Sequence, residues 1–337
     1  MTVYTPTLDD LRAAVDSAIT DFLDERRRAL PEAAPMLAEI ERLVGAGGKR
    51  LRPAFCYWAY RAAGGVHGDE AVRAAASLEL LHTFAIVHDD IMDESPERRG
   101  QPAVHVRHGT GIALLVGDLA LVLADALFVG AGFSADTMMR AFAPYSEMRQ
   151  EVIAGQQLDV LAAERVDISR DEARRIAVLK SGRYSIEKPL AIGAALAGAS
   201  CELAEGLKRV GEPLGEAFQL RDDVLGTFGD PAETGKPADG DIREGKRHVL
   251  YAEAAARAAG PQREFLLARW GAGDDLTHAE VERLRSIVET CGARRATEDL
   301  LDARAADARR ALGSLAVDAE PAAALGELAR HATDRRL

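Results

Sequence analysis

Apolar residues recur along the chain at intervals of three and four, the repeat of an α-helix with one buried face. Leu78, Leu81, Ala85 and Ile86 follow it in one window, and Ile176, Leu179 and Ile186 in another. Strict alternation over four to eight residues, the mark of a half-buried strand, is almost absent. The helical pattern breaks where Gly and Pro gather, at Gly45–Pro53, Gly64–Gly68, Ser95–Pro102, Gly109–Gly111, Gly130–Ser134 and Gly226–Gly245. The last of these is the longest candidate loop, and loops of that length are usually functional or disordered. No low-complexity linker and no fixed-period repeat divides the chain. The expectation is one all-α domain over residues 1–337, a bundle of roughly ten or more helices, the kind that builds sites from side chains on facing helices.

Composition agrees. Ala, Leu, Glu and Arg dominate, aromatic residues are 5%, and charged residues are 28% of the 337. The formal net charge of −12 argues against general affinity for nucleic acid or anionic lipid, but not against an anionic substrate met by local cations. Cys56, Cys201 and Cys291 are isolated, so neither a disulfide framework nor a zinc site is expected, and a reducing cytoplasm fits. The first ten residues, MTVYTPTLDD, show no export signal. The stretch Ile112–Phe133 is long and apolar, but Asp118 and Asp125 inside it favour a buried core helix over a membrane span.

Two acidic clusters carry the candidate chemistry. His88-Asp89-Asp90-Ile91-Met92-Asp93-Glu94 ends an apolar helical run, and Asp89 and Asp93, four apart, share a helix face. Like charges so placed repel unless a cation bridges them, and Mg²⁺ suits one or two carboxylates together with substrate phosphates. Gln219-Leu220-Arg221-Asp222-Asp223 repeats the arrangement. Alone, the first cluster reads equally as a metal site or as an exposed helix end, and the second reads as an ordinary helix with a charged end. Around them stand cations beside glycines: Gly47-Gly48-Lys49-Arg50-Leu51-Arg52-Pro53, Arg98-Arg99-Gly100, Lys180-Ser181-Gly182, Thr234-Gly235-Lys236-Pro237 and Gly245-Lys246-Arg247. None has P-loop spacing. His82 reads either as a core histidine or as a phosphate ligand. Carboxylates for metal and cations for phosphate together suggest a diphosphate carried by Mg²⁺.

In order, GGKRLRP, DDIMD followed by RRG, GDLAL, GQQLD, KSG, and FQLRDD followed by TGK and GK resemble the motifs of the trans-isoprenyl diphosphate synthases, the polyprenyl synthetase family. The resemblance spans about Gly47 to Lys246. It implies an all-α fold around a central cavity, usually a homodimer, and head-to-tail condensation of isopentenyl diphosphate onto an allylic diphosphate. It implies that Asp89 and Asp93 ligate two Mg²⁺ ions and Asp222 a third. Arg98, Lys180, Ser181, Gln219, Lys236 and Lys246 would contact the allylic diphosphate, and Lys49, Arg52, His82 and Arg99 isopentenyl diphosphate. Asp89, Asp93, Lys180, Asp222 and Lys236 would carry the catalytic step.

Two positions depart from the family pattern. Gly226 stands where a last Asp is usual, and Ser181 replaces a common Thr while keeping the hydroxyl. Phe84 and Ala85, five and four residues before Asp89, resemble the chain-length positions of geranylgeranyl diphosphate synthases, which make C20 products. A second aromatic at 85 would suggest C15, farnesyl diphosphate, the runner-up. A class I terpene cyclase would have no use for Lys49, Arg52 and Arg99, and a non-catalytic synthase subunit tends to lose one acidic cluster, whereas both are here.

Overall fold

The computed structural model describes residues 6–229 and 239–333. The all-α expectation holds: the described chain is helical except for short connections and one minimal hairpin, Glu97–Arg98 paired with Gln101–Pro102. The segments sort into two compact units. One comprises Met1–Ser146, Lys188–Lys208 and Ser314–Leu328, and the other Glu147–Glu187, Arg209–Gly313 and Ala329–Leu337.

In the first unit, the Leu8–Ala29 helix starts at a reciprocal cap between Thr7 and Asp10 and ends on Arg26, Arg27 and Arg28, so charges at both ends complement its dipole. It buries Leu11, Val15, Ile19 and Phe22 at the helical repeat. The centre of the unit is the 24-residue Asp69–Met92 helix, which packs against the Thr110–Val129, Leu51–Ala62 and Leu8–Ala29 helices. It buries Leu78, Leu80, Leu81, Ile86 and Val87. Each such side chain contributes about 1.5–3 kcal/mol on burial. Repulsion between carboxylates four apart costs only about 0.2–0.5 kcal/mol. The helix therefore carries its acidic end without difficulty.

The apolar Thr110–Val129 helix is, among the described residues, the single one long and apolar enough to cross a membrane. One face, including Ala113, Val116, Ala120, Leu123 and Leu127, lies in the core. Ile112, Leu115, Val122 and Val129 on the remainder are exposed, so the expectation of a buried helix holds for only part of its surface. Its start is set by Gly109, with a positive φ of 80°, at one of the breaks read from sequence.

The second unit is built around Leu220, Leu250, Tyr251, Leu266, Trp270, Leu284, Val288 and Leu301, from the Cys201–Phe228, Val249–Arg257, Gly260–Arg269, His278–Thr290 and Ala293–Gly313 helices. The stretch read as a loop over Gly226–Gly245 is helical at both described ends. Gly226 lies inside the Cys201–Phe228 helix, and Gly240–Glu244 forms a short helix of its own. Cooperative extension of a packed helix overrides the weak local preference of one glycine.

Candidate active site

Asp93 is the C-terminal cap of the Asp69–Met92 helix and keeps helical backbone angles, its N–H donating to the Asp89 carbonyl at 2.8 Å. The two carboxylates thus share a face, as the spacing predicts. Carboxylates at a helix C-terminus oppose the dipole. A cation answers them: Arg98, brought back by the hairpin, donates from Nε to Asp90 Oδ1 at 2.8 Å and lies 3.6 Å from Asp89 Oδ2. Asp90 is buried in that pair, whereas Asp89 and Asp93 are half-buried and the neighbouring Glu94 is exposed.

The Gly47–Pro53 turn is shaped by an arginine that the sequence does not distinguish from its neighbours. Arg50 is buried with left-handed backbone, φ 49°. Its guanidinium donates to Asp16 at 2.7 Å, Glu79 at 3.1 Å and the Val44 carbonyl at 2.6 Å. Arg50 is therefore a support, and Lys49 is turned to solvent beside it. Arg99 is also left-handed, φ 54°, and donates to the Leu43 carbonyl at 2.7 Å. The two motifs abut: a Cβ on Gly48 would fall 2.9 Å from Arg50 Nη1 and 3.5 Å from Arg99 Nη2. Left-handed non-glycine residues cost energy, and here they are confined to Arg50, Glu94 and Arg99 among the described residues, all in or beside these motifs.

His82 is the focus of this basic group. Desolvation first, and then the fields of Arg52, Arg99, Arg98 and Arg50, hold its imidazole well below the ordinary value of 6.5, so it is neutral at physiological pH. Arg52, Arg99, Arg98 and Arg50 thus all lie close enough to act on one imidazole. All the expected isopentenyl diphosphate residues, Lys49, Arg52, His82 and Arg99, lie in the same unit as Asp89, Asp93, Phe84 and Ala85.

In the second unit, Lys180 and Ser181 lie on a π-helical stretch, Val178–Glu187. Such wide turns concentrate at functional sites. Small residues on neighbouring helices make room for it. A Cβ on Gly155 would fall 2.7 Å from Lys180 Cα, and one on Gly182 would fall 2.8 Å from the Gly215 carbonyl carbon. Lys180 Nζ meets Asp159 Oδ2 at 2.6 Å. The GQQLD motif thus has two physical roles, close approach at Gly155 and charge pairing at Asp159. Asp159 was not singled out from sequence; its signal was its place in that motif.

On the Cys201–Phe228 helix, Asp222 is half-buried and Gln219 donates to Asp223 Oδ1 at 2.7 Å. Asp223 is buried, its Oδ2 has no hydrogen-bond partner, and burial pushes its pKa up to about 6, with Asp241 and Asp222 adding to the rise against His248 and Gln219. Asp241 reaches the position that a side chain on Gly226 would need: a Cβ there would overlap the Asp241 carboxylate. A carboxylate from the Gly240–Glu244 helix therefore stands beside the place where the usual last Asp is missing. The backbone before His248 is fixed by Trp270, whose Nε1 donates to the Lys246 carbonyl at 3.2 Å. The Lys246 ammonium itself lies 3.7 Å from Glu244. Lys236, with Thr234, Gly235 and Pro237, lies outside the described residues.

Among the described residues no group of three or more His, Cys, Asp or Glu side chains is close enough to hold a metal unaided. The donor set is nonetheless one that fits Mg²⁺. It consists of the hard carboxylate oxygens of Asp89, Asp93 and Asp222, each half-buried, and Mg²⁺ commonly completes its shell with water and substrate phosphate.

A model of the polyprenyl synthetase family matches residues 34–288. The chain is 37% identical over 283 residues to a geranylfarnesyl diphosphate synthase from Aeropyrum pernix, covering 83% of this chain and 85% of that protein. It is 33% identical over 305 residues to a (2E,6E)-farnesyl diphosphate synthase from Mycobacterium bovis, covering 86% and 80%. A crystal structure of geranylgeranyl pyrophosphate synthase from Corynebacterium glutamicum, complexed with isoprenyl diphosphate and magnesium, superposes with a TM-score of 0.93 at 34% identity, covering 98% of this chain and all of that one. The chain belongs to the polyprenyl synthetase family and is a trans-prenyltransferase.

Proposed function

We propose that this prenyltransferase condenses isopentenyl diphosphate head-to-tail onto allylic diphosphates and stops at the C20 product, geranylgeranyl diphosphate. The observation that carries the reading is that Arg52 and Arg99, neither of them assigned to the allylic site, both lie close enough to act on His82, in one unit with Asp89 and Asp93. A terpene cyclase ionises one diphosphate and needs no second anion site, so this cluster favours the two-substrate reaction. Asp89, Asp93 and Asp222 would hold Mg²⁺, three ions in all, and the metal when bound neutralises the diphosphate leaving group. Arg98, Lys180, Ser181, Gln219, Lys236 and Lys246 would orient the allylic diphosphate. Lys49, Arg52, His82 and Arg99 would hold isopentenyl diphosphate with its double bond toward the allylic carbon.

As the allylic C–O bond breaks, both bonding electrons leave with diphosphate. The isopentenyl double bond attacks the allylic cation, and a proton is lost to the released diphosphate, which restores neutrality and leaves a new double bond. Apolar helix walls exclude the water that would trap the cation.

The C20 reading rests on Phe84 and Ala85. Phe84 is buried on the Asp69–Met92 helix, and the tail would grow along that helix from Asp89 toward it. Ala85 lacks the second ring expected for the C15 alternative. The exposed Ile112, Leu115, Val122 and Val129 on the Thr110–Val129 helix support a homodimer in which a second copy covers them. A single domain over residues 1–337 and a cytoplasmic location belong to the same proposal.

The test incubates the protein with Mg²⁺, isopentenyl diphosphate and dimethylallyl, geranyl or farnesyl diphosphate in turn, and resolves the products by chain length. C20 as the terminal product from each primer is expected. Termination at C15, or no elongation from farnesyl diphosphate, would overturn the C20 reading.

A further inference from the structure

Phe84 and His88 lie one turn apart on the same face of the Asp69–Met92 helix, and their rings meet edge to face with centroids 4.9 Å apart. The imidazole is not merely filling space. Its Nε2 lies 3.2 Å from the Leu114 carbonyl oxygen and 3.7 Å from Asp118 Oδ1, both on the Thr110–Val129 helix. That carbonyl already belongs to a helix, so the ring reaches it only where the helix surface is bare. Gly117 supplies the bare surface: a Cβ there would overlap the imidazole at Cδ2 and Nε2.

We propose that His88, seated on Gly117 and anchored to Leu114, is a positioning residue for product length: it fixes the ring of Phe84 as the end stop for the growing tail. The proposal rests on the reading of Phe84 as the floor of the tail site. A phenylalanine at the edge of a tail site can yield to an extra isoprene unit by rotating about χ1 or χ2. An imidazole tied by a hydrogen bond to a neighbouring helix removes that freedom on one side. The chain length would then depend on two residues, His88 and Gly117, that need not touch the tail. The geometry also gives each substitution a direction. Removing the His88 ring frees Phe84 to swing away and deepens the site. Adding a methyl group at residue 117 drives the imidazole off its seat toward Phe84 and makes the site shallower.

The experiment compares the product distributions of Phe84→Ala, His88→Ala, Gly117→Ala and the Phe84→Ala/His88→Ala double variant, each normalised to total turnover and checked for helical content by circular dichroism. Phe84→Ala alone tests the floor, and no lengthening there would remove both the floor and this proposal. With the floor upheld, His88→Ala should raise the ratio of longer-than-C20 to C20 product by about tenfold, the scale on which apolar sites discriminate by small increments of length. Gly117→Ala should shift product toward C15. In the Phe84→Ala background, His88→Ala should have no further effect, because a positioning residue acts only through the ring it holds. Wild-type distributions in both single variants at 88 and 117, or an additive shift in the double variant, would overturn the proposal and leave the floor standing. If Gly117→Ala does not fold, the single and double variants at 84 and 88 decide the matter alone.

Discussion

The Asp241 carboxylate stands where a side chain on Gly226 would have to begin. The two residues are 15 positions apart and on different helices, yet the Asp241 carboxylate can lie where it does only because residue 226 has no side chain. An aspartate at 226 would add a like charge beside Asp241 and a clash together, at a half-buried position. Gly226→Asp should therefore destabilise the protein by about 1–3 kcal/mol, the usual cost of overpacking. Adding Asp241→Gly should recover most of the loss. Denaturant melts of the two variants check the relationship, and a double variant no more stable than Gly226→Asp would refute it.

Asp89→Ala and Asp222→Ala should each lower turnover at saturating Mg²⁺ by at least about two orders of magnitude, the loss seen when a stabiliser of developing charge is removed. Both should remain folded, because each substitution relieves acidic repulsion without opening the core. Circular dichroism and steady-state rates measured together test this. Undiminished turnover in either folded variant would remove that residue from the metal set.

The two groups of cations should separate kinetically. Lys49→Ala should raise KM for isopentenyl diphosphate, and Lys180→Ala should raise KM for the allylic primer. Each shift should be about tenfold or more, since a charged hydrogen bond is worth about 1.5–3 kcal/mol. Lys49 is the cleaner probe of the first site because it is exposed, whereas Arg99 also holds the Leu43 carbonyl. Equal effects on both substrates would show that the assignments are wrong.

His82 gives the free protein an acid-side liability. Its folded value lies well below 6.5, so between the two values the unfolded chain binds a proton that the folded chain does not. Its contribution to stability is intact above pH 6.5 and is lost as pH falls toward the folded value. The slope contributed is at most about 1.4 kcal/mol per pH unit. His82→Asn should flatten the fall in Tm between pH 6.5 and 5, and an unchanged slope would mean that His82 does not titrate as described.

How much of this was legible in the sequence follows from the range over which each force acts. The helical repeat, the breaks at Gly109 and Gly130, the shared face of Asp89 and Asp93, and the order of the motifs are local properties of the chain. They depend on backbone geometry and on residues a few positions apart, and the linear sequence records them directly. Tertiary structure decided the rest. Of the cations in GGKRLRP, nothing local marks Arg50 as the buried support and Lys49 as the exposed one; Asp16 and Glu79, distant in sequence, make that choice. The pairing of Lys180 with Asp159 and the neutral state of His82 likewise depend on side chains brought together only by packing. So does the filling of the Gly226 position by Asp241. Coulombic fields and van der Waals exclusion act through space, so their partners become defined only once the helices have packed.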